Sequence, residues 1–569
     1  MKRLVLLSAL LFGAAGYVLL QISSPAPKLA TLMPSGALLY LEAQDFGRLL
    51  RDWDASKVKA DWLESTNYAA FSRSNLSAKL GELYSQYGEA AGFLPDLKSV
   101  LQIAGTDSAL ALYEIRDVEF LYISRVADAD LMKSQWWMGR NKFEQRQAGG
   151  ESFYLRTDPA SKRTVAFAFA KGHLIIATRD DLVAQSLELL AGGANPAIAS
   201  DRWYRDAVAQ APNPGDLRMV LNLESLVRSV HFRSYWVQRN SGMLRRYWAG
   251  VVDAKRSAGS ITESRVFLRA PGAEPVHASG SATLSALLAL VPAEAGVYKA
   301  SGIADSSAAA SLIVNKVIGT PVQGPRDSRE APYAASPDSR AGGEADLETR
   351  IDEQPLPSDA GAADSVAAVR TMVAKAGAQA LLLVQSSSPA AGTFVQLPAV
   401  IVVAGAADWN RDSVRTALTA AAGKLWTTSE LGAGWVSATT GKHAIERLDG
   451  LGALVFAVRG PLLFLGNDAR LLGTVLDRVG APSSGGALTY AAGFRHSRER
   501  ANYERVMTAL DSISAPNGVS RGEVDRPPSF FSGDLASLGG VLSKLAEIRV
   551  TEEEKGAATM QTVLYRMEP

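Results

Sequence analysis

The sequence predicts an α+β protein: two related, largely antiparallel sheet-plus-helix domains behind an N-terminal transmembrane helix. Three observations predict it. An uncharged apolar run follows a basic start, short apolar strands mix with helices without regular βαβ alternation, and one strand-turn-strand-helix pattern occurs twice.

Met1-Lys2-Arg3 leads into Leu4 to Leu20, an uncharged run of 17 residues, and then into the breaker-rich Gln21 to Pro27. Cations before an apolar run mark export with the basic end kept in the cytoplasm. At a rise of 1.5 Å per residue the run reaches roughly 26 Å, near the lower limit for crossing the hydrocarbon core. Val18 to Ile22 holds no pair of small residues for a signal peptidase, which favours a retained anchor, while Ala14-Ala15-Gly16 keeps cleavage open. Residues 1–24 are thus expected as a signal anchor at a bacterial inner membrane, single-pass, with contact through residues 4–20 and the bulk of the chain periplasmic. The chain has no cysteine, which excludes a lipid attached to cysteine, disulfides and thiolate metal sites. A net charge of +1 and 47% hydrophobic residues give no general pull toward nucleic acid, which is not expected as a partner.

The first α+β copy is expected over 31–275 and the second over 280–569. In the first, Leu38 to Leu41 reads as a strand, Asp45 to Gly92 as helices, and the chain from Ser108 as strands broken by helices at Asp128–Trp137 and Asp180–Leu190. Val165 to Gly192 (VAFAFAKGHLIIATRDDLVAQSLELLAG) then matches Ala453 to Gly480 (ALVFAVRGPLLFLGNDARLLGTVLDRVG), with Lys171-Gly172 on Arg459-Gly460 and Asp180 on Asp468 at an offset of 288 (459 − 171, 468 − 180). A basic residue followed by Gly between apolar runs is a hairpin corner, and Asp after the second run suits a helix cap. Three more pairs keep the same order: Pro34 with Pro292 (offset 258), Val126-Ala127-Asp128 with Ala406-Ala407-Asp408 (280), and Ser264 to Ala270 with Gln561 to Met567 (297). Between Thr320 and Ala363 the chain turns rich in Pro, Gly, Ser and charge, a composition that cannot offset its ordering entropy, so a flexible insertion is expected at 320–363.

No catalytic motif survives inspection. The five histidines, His173, His231, His277, His443 and His496, show no metal-ligand spacing. Ser56-Lys57-Val58-Lys59 fits Ser-x-x-Lys without its companion elements, and Gly518 to Gly522 (GVSRG) fits a nucleophile elbow without its strand and helix. Gly434 to His443 ends like a phosphate loop, but Val436 stands where the first Gly is required. Asp346 to Glu353 lacks the alternating ligands of a calcium loop. No catalytic residue, cofactor or metal is therefore assigned.

Ser225 to Val252 is chemically distinctive: five arginines, interleaved with aromatic residues, and no acid between Glu224 and Asp253. Arg228, Arg233, Trp236, Arg239, Arg245, Arg246 and Trp248 are the candidate membrane or anion contacts, because guanidinium groups meet phosphates while amphipathic rings sit at headgroup depth. The implied partner is anionic lipid or an envelope protein. The competing reading is an amphipathic helix pair whose rings enter the core while its arginines stay wet.

The N-terminal anchor, the PSGALLYLEAQDF entry strand at Pro34 to Phe46, FRSYW at Phe232 to Trp236 and DLETRIDE at Asp346 to Glu353 together resemble an uncharacterised family of large exported bacterial proteins classed as a domain of unknown function. That resemblance implies an envelope location and brings no catalytic residue. The expectation is a membrane-anchored, periplasmic, non-catalytic binding or scaffold protein; an envelope hydrolase with a site assembled from distant residues, and a lipid carrier with an apolar cleft between sheet and helices, are the alternatives.

Overall fold

Leu39, Leu41 and Ala43 alternate with Tyr40 and Glu42, so the first strand presents an apolar row to each side except at one carboxylate. The same two-residue period recurs along the chain, and it builds two sheets. In the computed structural model the described residues are 28–568 apart from 74, 230–231, 233–243, 276–281, 319–359, 387–397, 427–433, 450–452, 484, 487 and 501–544. The chain divides into two compact units, one comprising residues up to 60 with 69–255 and 265–273, the other 61–68, 256–264 and the chain from 274.

The first unit holds β1 (Leu39–Gln44), α1 (Phe46–Asp54), α2 (Asn75–Ala91), α3 (Leu97–Ile103), β2 (Asp107–Glu114), β3 (Glu119–Arg125), α4 (Gln135–Gly139), β4 (Glu144–Ala148), β5 (Glu151–Thr157), β6 (Thr164–Ala170), β7 (His173–Ala177), α5 (Asp180–Leu190), α6 (Arg202–Gln210), β8 (Leu217–Leu221), α7 (Leu223–Arg228), and all of β9 (Tyr247–Ser257) and β10 (Ser260–Arg269) except their 256–264 end. Its strands lie in the order β4-β5-β6-β7-β3-β2-β1-β8-β9, every pairing antiparallel, with β10 bonded beyond β9.

The second unit holds α8 (Ala282–Leu288), β11 (Val297–Gly302), α9 (Ser306–Ile313) with a π turn at Val314–Ile318, α10 (Ala360–Lys375), β12 (Ala380–Gln385), β13 (Ala399–Ala404), α11 (Arg411–Trp426), β14 (Gly434–Thr440), β15 (His443–Asp449), β16 (Ala453–Arg459), β17 (Leu462–Gly466), α12 (Ala469–Leu476), β18 (Leu488–Arg495), β19 (Leu545–Lys555) and β20 (Ala558–Met567). The strand order is β14-β15-β16-β17-β13-β12-β11-β18-β19-β20, again antiparallel throughout. Strand for strand, this is the order of the first unit.

Strand bounds place β1 on β11 at an offset of 258 (297 − 39), β7 on β17 at 289 (462 − 173) and β9 on β19 at 298 (545 − 247). The first equals the offset read from sequence; 289 and 298 are one residue larger than the 288 and 297 read there. One residue matters in a strand, because it exchanges the two faces. Lys171 and Gly172 fill the two-residue turn after Ala170, both at positive φ (47° and 74°). Their equivalents are Gly460 (φ 56°) and Pro461, and Arg459 is the last strand residue instead of a turn residue. The helix start shifts likewise. Asp468 caps α12 by accepting the Leu471 N–H at 2.8 Å, whereas the N-cap of α5 is Arg179, without a side-chain cap.

At its central strands β12 and β13 the second sheet is buried on both faces. Leu381, Leu383, Ile401 and Val403 pack against Ile313, Val317, Val373 and Leu418 from α9, the π turn, α10 and α11, while Leu382, Val384, Val400 and Val402 form the other core with α8 and α12. In the first unit Tyr204 of α6 stands edge-on to Tyr40, ring centroids 5.2 Å apart. The opposite face is covered by α2, α3 and α4 over an aromatic cluster around Phe167 and Trp136.

The expected transmembrane helix is corrected. Among the described residues no helix is long and apolar enough to cross a membrane, and residues 4–20 lie outside the described residues. The longest described helix, α2, has 17 residues and carries Lys79, Glu82 and Glu89, charges that a spanning segment excludes. The expectations that rested on the span fall with it: the membrane-anchored function, the transmembrane and signal-anchor character, the inner-membrane contact and the single-pass inner-membrane location. Most of the expected insertion, 319–359, lies outside the described residues, and Ala360 already opens α10, so the insertion's expected end at 363 falls inside a helix.

Candidate functional site

The face of the first sheet that carries Leu41 is built by cross-strand neighbours. Leu41 lies opposite Leu110, Leu110 opposite Tyr122 and Tyr122 opposite Ile176, while Ala43 lies opposite Ser108 on one side and Leu217 on the other. Over β6 and β7 this face is closed by rings: Trp136 meets Phe93 at 5.0 Å and Phe167 at 5.1 Å, edge to face. Toward β1, β2 and β8 the helical cover stands off the sheet. There a cleft of about 400 Å³ opens between Leu41, Leu110, Phe120 and Leu217 below and Phe46, Tyr84, Tyr87, Val100 and Ile103 above. Leu217 and Tyr84 remain 39% and 49% exposed, so the cleft is open to solvent at that end.

The Tyr84, Ser99, Ser108 and Tyr122 hydroxyls at the cleft are bonded within the protein. Tyr122 Oη donates to the Ile103 carbonyl at 3.2 Å and lies 3.0 Å from Ser108 Oγ; Ser108 Oγ donates to Ser124 Oγ at 3.1 Å, which accepts the Gly105 N–H at 2.8 Å. Tyr84 Oη donates to the Pro95 carbonyl. Burial pushes the Tyr87 and Tyr122 phenols above their ordinary range, so both stay neutral. What the cleft offers a guest is hydrocarbon surface.

At the equivalent places the second unit is different. The Ser108–Ser124 and Leu110–Tyr122 pairs correspond to Leu381–Val403 and Leu383–Ile401, which helices bury completely or nearly so. Leu41 and Leu217 correspond to Lys299 and Tyr490, which stack cation on ring at 5.6 Å. The cleft belongs to the first unit alone among these equivalent faces. Sequence reading missed it because these wall residues come from seven different strands and helices; the local signal is Tyr84 and Tyr87 on one helix face.

The basic aromatic stretch divides differently from expectation. Arg233, Trp236 and Arg239 lie outside the described residues. Arg228 ends α7 and donates to Glu224 at 2.6 Å; Tyr247 and Trp248 open strand β9, so the expected second helix of the pair is a strand there. The Arg202 guanidinium carbon lies 4.5 Å from the Trp248 ring centroid. Arg228, Arg245 and Trp248 come together with Arg202, Leu223, Val227 and Tyr247 around a second cavity of about 670 Å³, and Arg246 is not among its lining residues.

Other sequence candidates find structural roles. Ser56 Oγ accepts the Lys59 N–H at 3.1 Å, capping a helical turn. Gly441-Lys442 turns the β14–β15 hairpin, and His443 meets Asp477 at 2.9 Å. His173 is buried with Nδ1 2.9 Å from the Lys171 carbonyl, and burial lowers its pKa. His231, His277 and the serine of GVSRG lie outside the described residues, among which no group of His, Asp and Glu side chains could hold a metal. One buried charge ladder crosses β1, β8 and β9 on the Tyr40 face: Glu42 opposite Arg218, and Arg218 opposite Asp253. Arg218 binds Asp253 through two contacts of 2.7 and 2.8 Å and donates to the Ala211 carbonyl at 2.6 Å.

No family model and no curated protein matches the chain. Among solved structures it is similar to one described as crystal form I of TP0453, at 9% identity over 44% of this chain and 82% of that chain, with a TM-score of 0.24. This distant, partial likeness assigns no family and carries no functional argument.

Proposed function

We propose that the first unit binds an apolar small molecule in the cleft between its sheet and helices α2 and α3. The observation that supports it is an open space of about 400 Å³ whose walls are aliphatic and aromatic and whose Tyr84, Ser108 and Tyr122 hydroxyls are hydrogen-bonded within the protein. Cavities of roughly 300–1,000 Å³ with such linings suit small ligands. Beyond what the Tyr87 phenol can serve, a guest's hydrogen-bonding groups would lose water there without replacement, which selects largely hydrocarbon molecules. Val100→Trp fills the cleft from the helical side. The full chain is expected to take up diphenylhexatriene, a neutral probe that fluoresces in apolar surroundings, saturably, and the Val100→Trp chain to bind it at least about tenfold more weakly with an unchanged melting temperature. Equal uptake by the filled variant, or none by either chain, overturns the reading.

We infer further that the two units are copies of one module, over 31–275 and 280–569. The shared order of ten strands and the ordered offsets support this. In this reading the first copy keeps an opening that the second has filled.

A further inference from the structure

The first unit carries a second cavity whose chemistry is the opposite of the cleft's. Its cations come from three separate places: Arg202 at the start of α6, Arg228 at the end of α7 and Arg245 just before β9. One acid, Glu224, shares the lining, so the side chains there sum to +2 (three Arg, one Glu). The acids that touch Arg228 and Arg202 do so weakly. Arg228 to Glu224 at 2.6 Å and Arg202 to Asp206 at 3.4 Å are one-turn pairs on helix surfaces, with the arginine side chains 77% and 72% exposed. Such pairs contribute little and yield to a better-placed anion. Beside the cations stands an apolar wall of Leu223, Val227 and the Trp248 ring, whose other neighbour is the Arg202 guanidinium.

We propose that this cavity binds an amphiphilic organic anion, a phosphate or carboxylate on an apolar body. Guanidinium groups take the anion by forked, charge-assisted hydrogen bonds, and the wall removes the body from water. A space of about 670 Å³ accommodates both parts. The proposal uses only described residues and does not depend on the apolar cleft.

The test is calorimetric titration of the full chain at low ionic strength with 1-naphthyl phosphate, uncharged 1-naphthol and inorganic phosphate. Naphthyl phosphate is expected to bind at least about tenfold tighter than either of the others, and to weaken as salt is raised. Arg228→Gln combined with Arg245→Gln, both exposed and so tolerated by the fold, is expected to remove about tenfold or more of that affinity. Val100→Trp, in the other cavity, is expected to leave it unchanged. Naphthol binding as tightly as the phosphate, inorganic phosphate binding equally well, an unaffected arginine double variant, or loss of binding in Val100→Trp each overturns the assignment.

Discussion

Replacing Arg218 by Met tests whether the buried ladder is held by its pairing. The Arg218 and Asp253 side chains are only 5% and 7% exposed, and Asp253 also accepts the Gly215 N–H at 3.1 Å. Met keeps most of the side-chain volume but strands a carboxylate in a nearly dry sheet face, which costs about 3–5 kcal/mol. The second unit shows another solution at the same register, because Glu42, Arg218 and Asp253 correspond to Ala300, Ala491 and Thr551. Arg218→Met with Asp253→Thr is therefore expected to recover most of the loss, to within about 1–2 kcal/mol of the parent, since Thr still offers an oxygen to Gly215. With two units a single unfolding midpoint is ambiguous, so the readout is hydrogen exchange of the β8 and β9 amides, which reports the opening free energy locally. A cost under about 1 kcal/mol for the single variant, or no recovery in the double, refutes the reasoning.

Glu42 gives a pH signature. Burial raises its pKa above 4.5, with the opposing Arg218 acting the other way. The folded state then holds the proton longer than the unfolded one, so this group's stabilising contribution is complete below about 4.5 and lost as pH rises through the raised value. Glu42→Gln should gain stability relative to the parent on going from pH 4 to pH 8; parallel pH profiles of the β1 amides' opening free energy, from hydrogen exchange, would count against it. At the helix starts, Asp468→Ala should cost about 1 kcal/mol by removing a cap, while Asp180→Ala, at the position that sequence reading equated with it, loses only exposed contacts with Arg146 and should cost under about 0.5 kcal/mol. Equal losses in the local opening free energies of the α12 and α5 amides would restore the sequence alignment.

The α+β class and the antiparallel pairing were legible because both depend on two-residue alternation and turn chemistry, which are local. The offset of 258 between Pro34 and Pro292 held because Tyr40 and Tyr298 sit in strands of equal length. The Lys171-Gly172 match failed by one residue because Gly alone does not fix its place in a two-residue turn: in one hairpin it is the second residue, in the other the first. The span over Leu4 to Leu20 was inferred from hydropathy, and no described helix supplies one. The arginine-rich stretch was legible as chemically unusual, yet Arg202, which lines the same cavity as Arg228 and Arg245, lies more than 20 residues before it in sequence.

The cleft shows why function was the least legible part. As sequence, Ser108 to Leu112 and Leu381 to Gln385 are both short strand segments of mixed, mostly apolar character, and nothing in either says whether helices will seat on it. Pairing decides. It aligns Ser108 with Ser124 and Leu110 with Tyr122, whose hydroxyl reaches back to the Ile103 carbonyl and ties α3 to the sheet at one point. A helix fixed by a phenol-length contact stands farther off than one seated on Leu381, Leu383, Ile401 and Val403, where aliphatic side chains interdigitate. The same ten-strand frame therefore gives a closed core where the facing pairs are aliphatic and an open cleft where both facing pairs carry hydroxyls. Tyr122→Phe should loosen α3, seen as faster exchange of the Ile103 and Ala104 amides, and leave the second unit's exchange untouched; slower exchange at α3 would mean that the phenol holds the helix away against its packing.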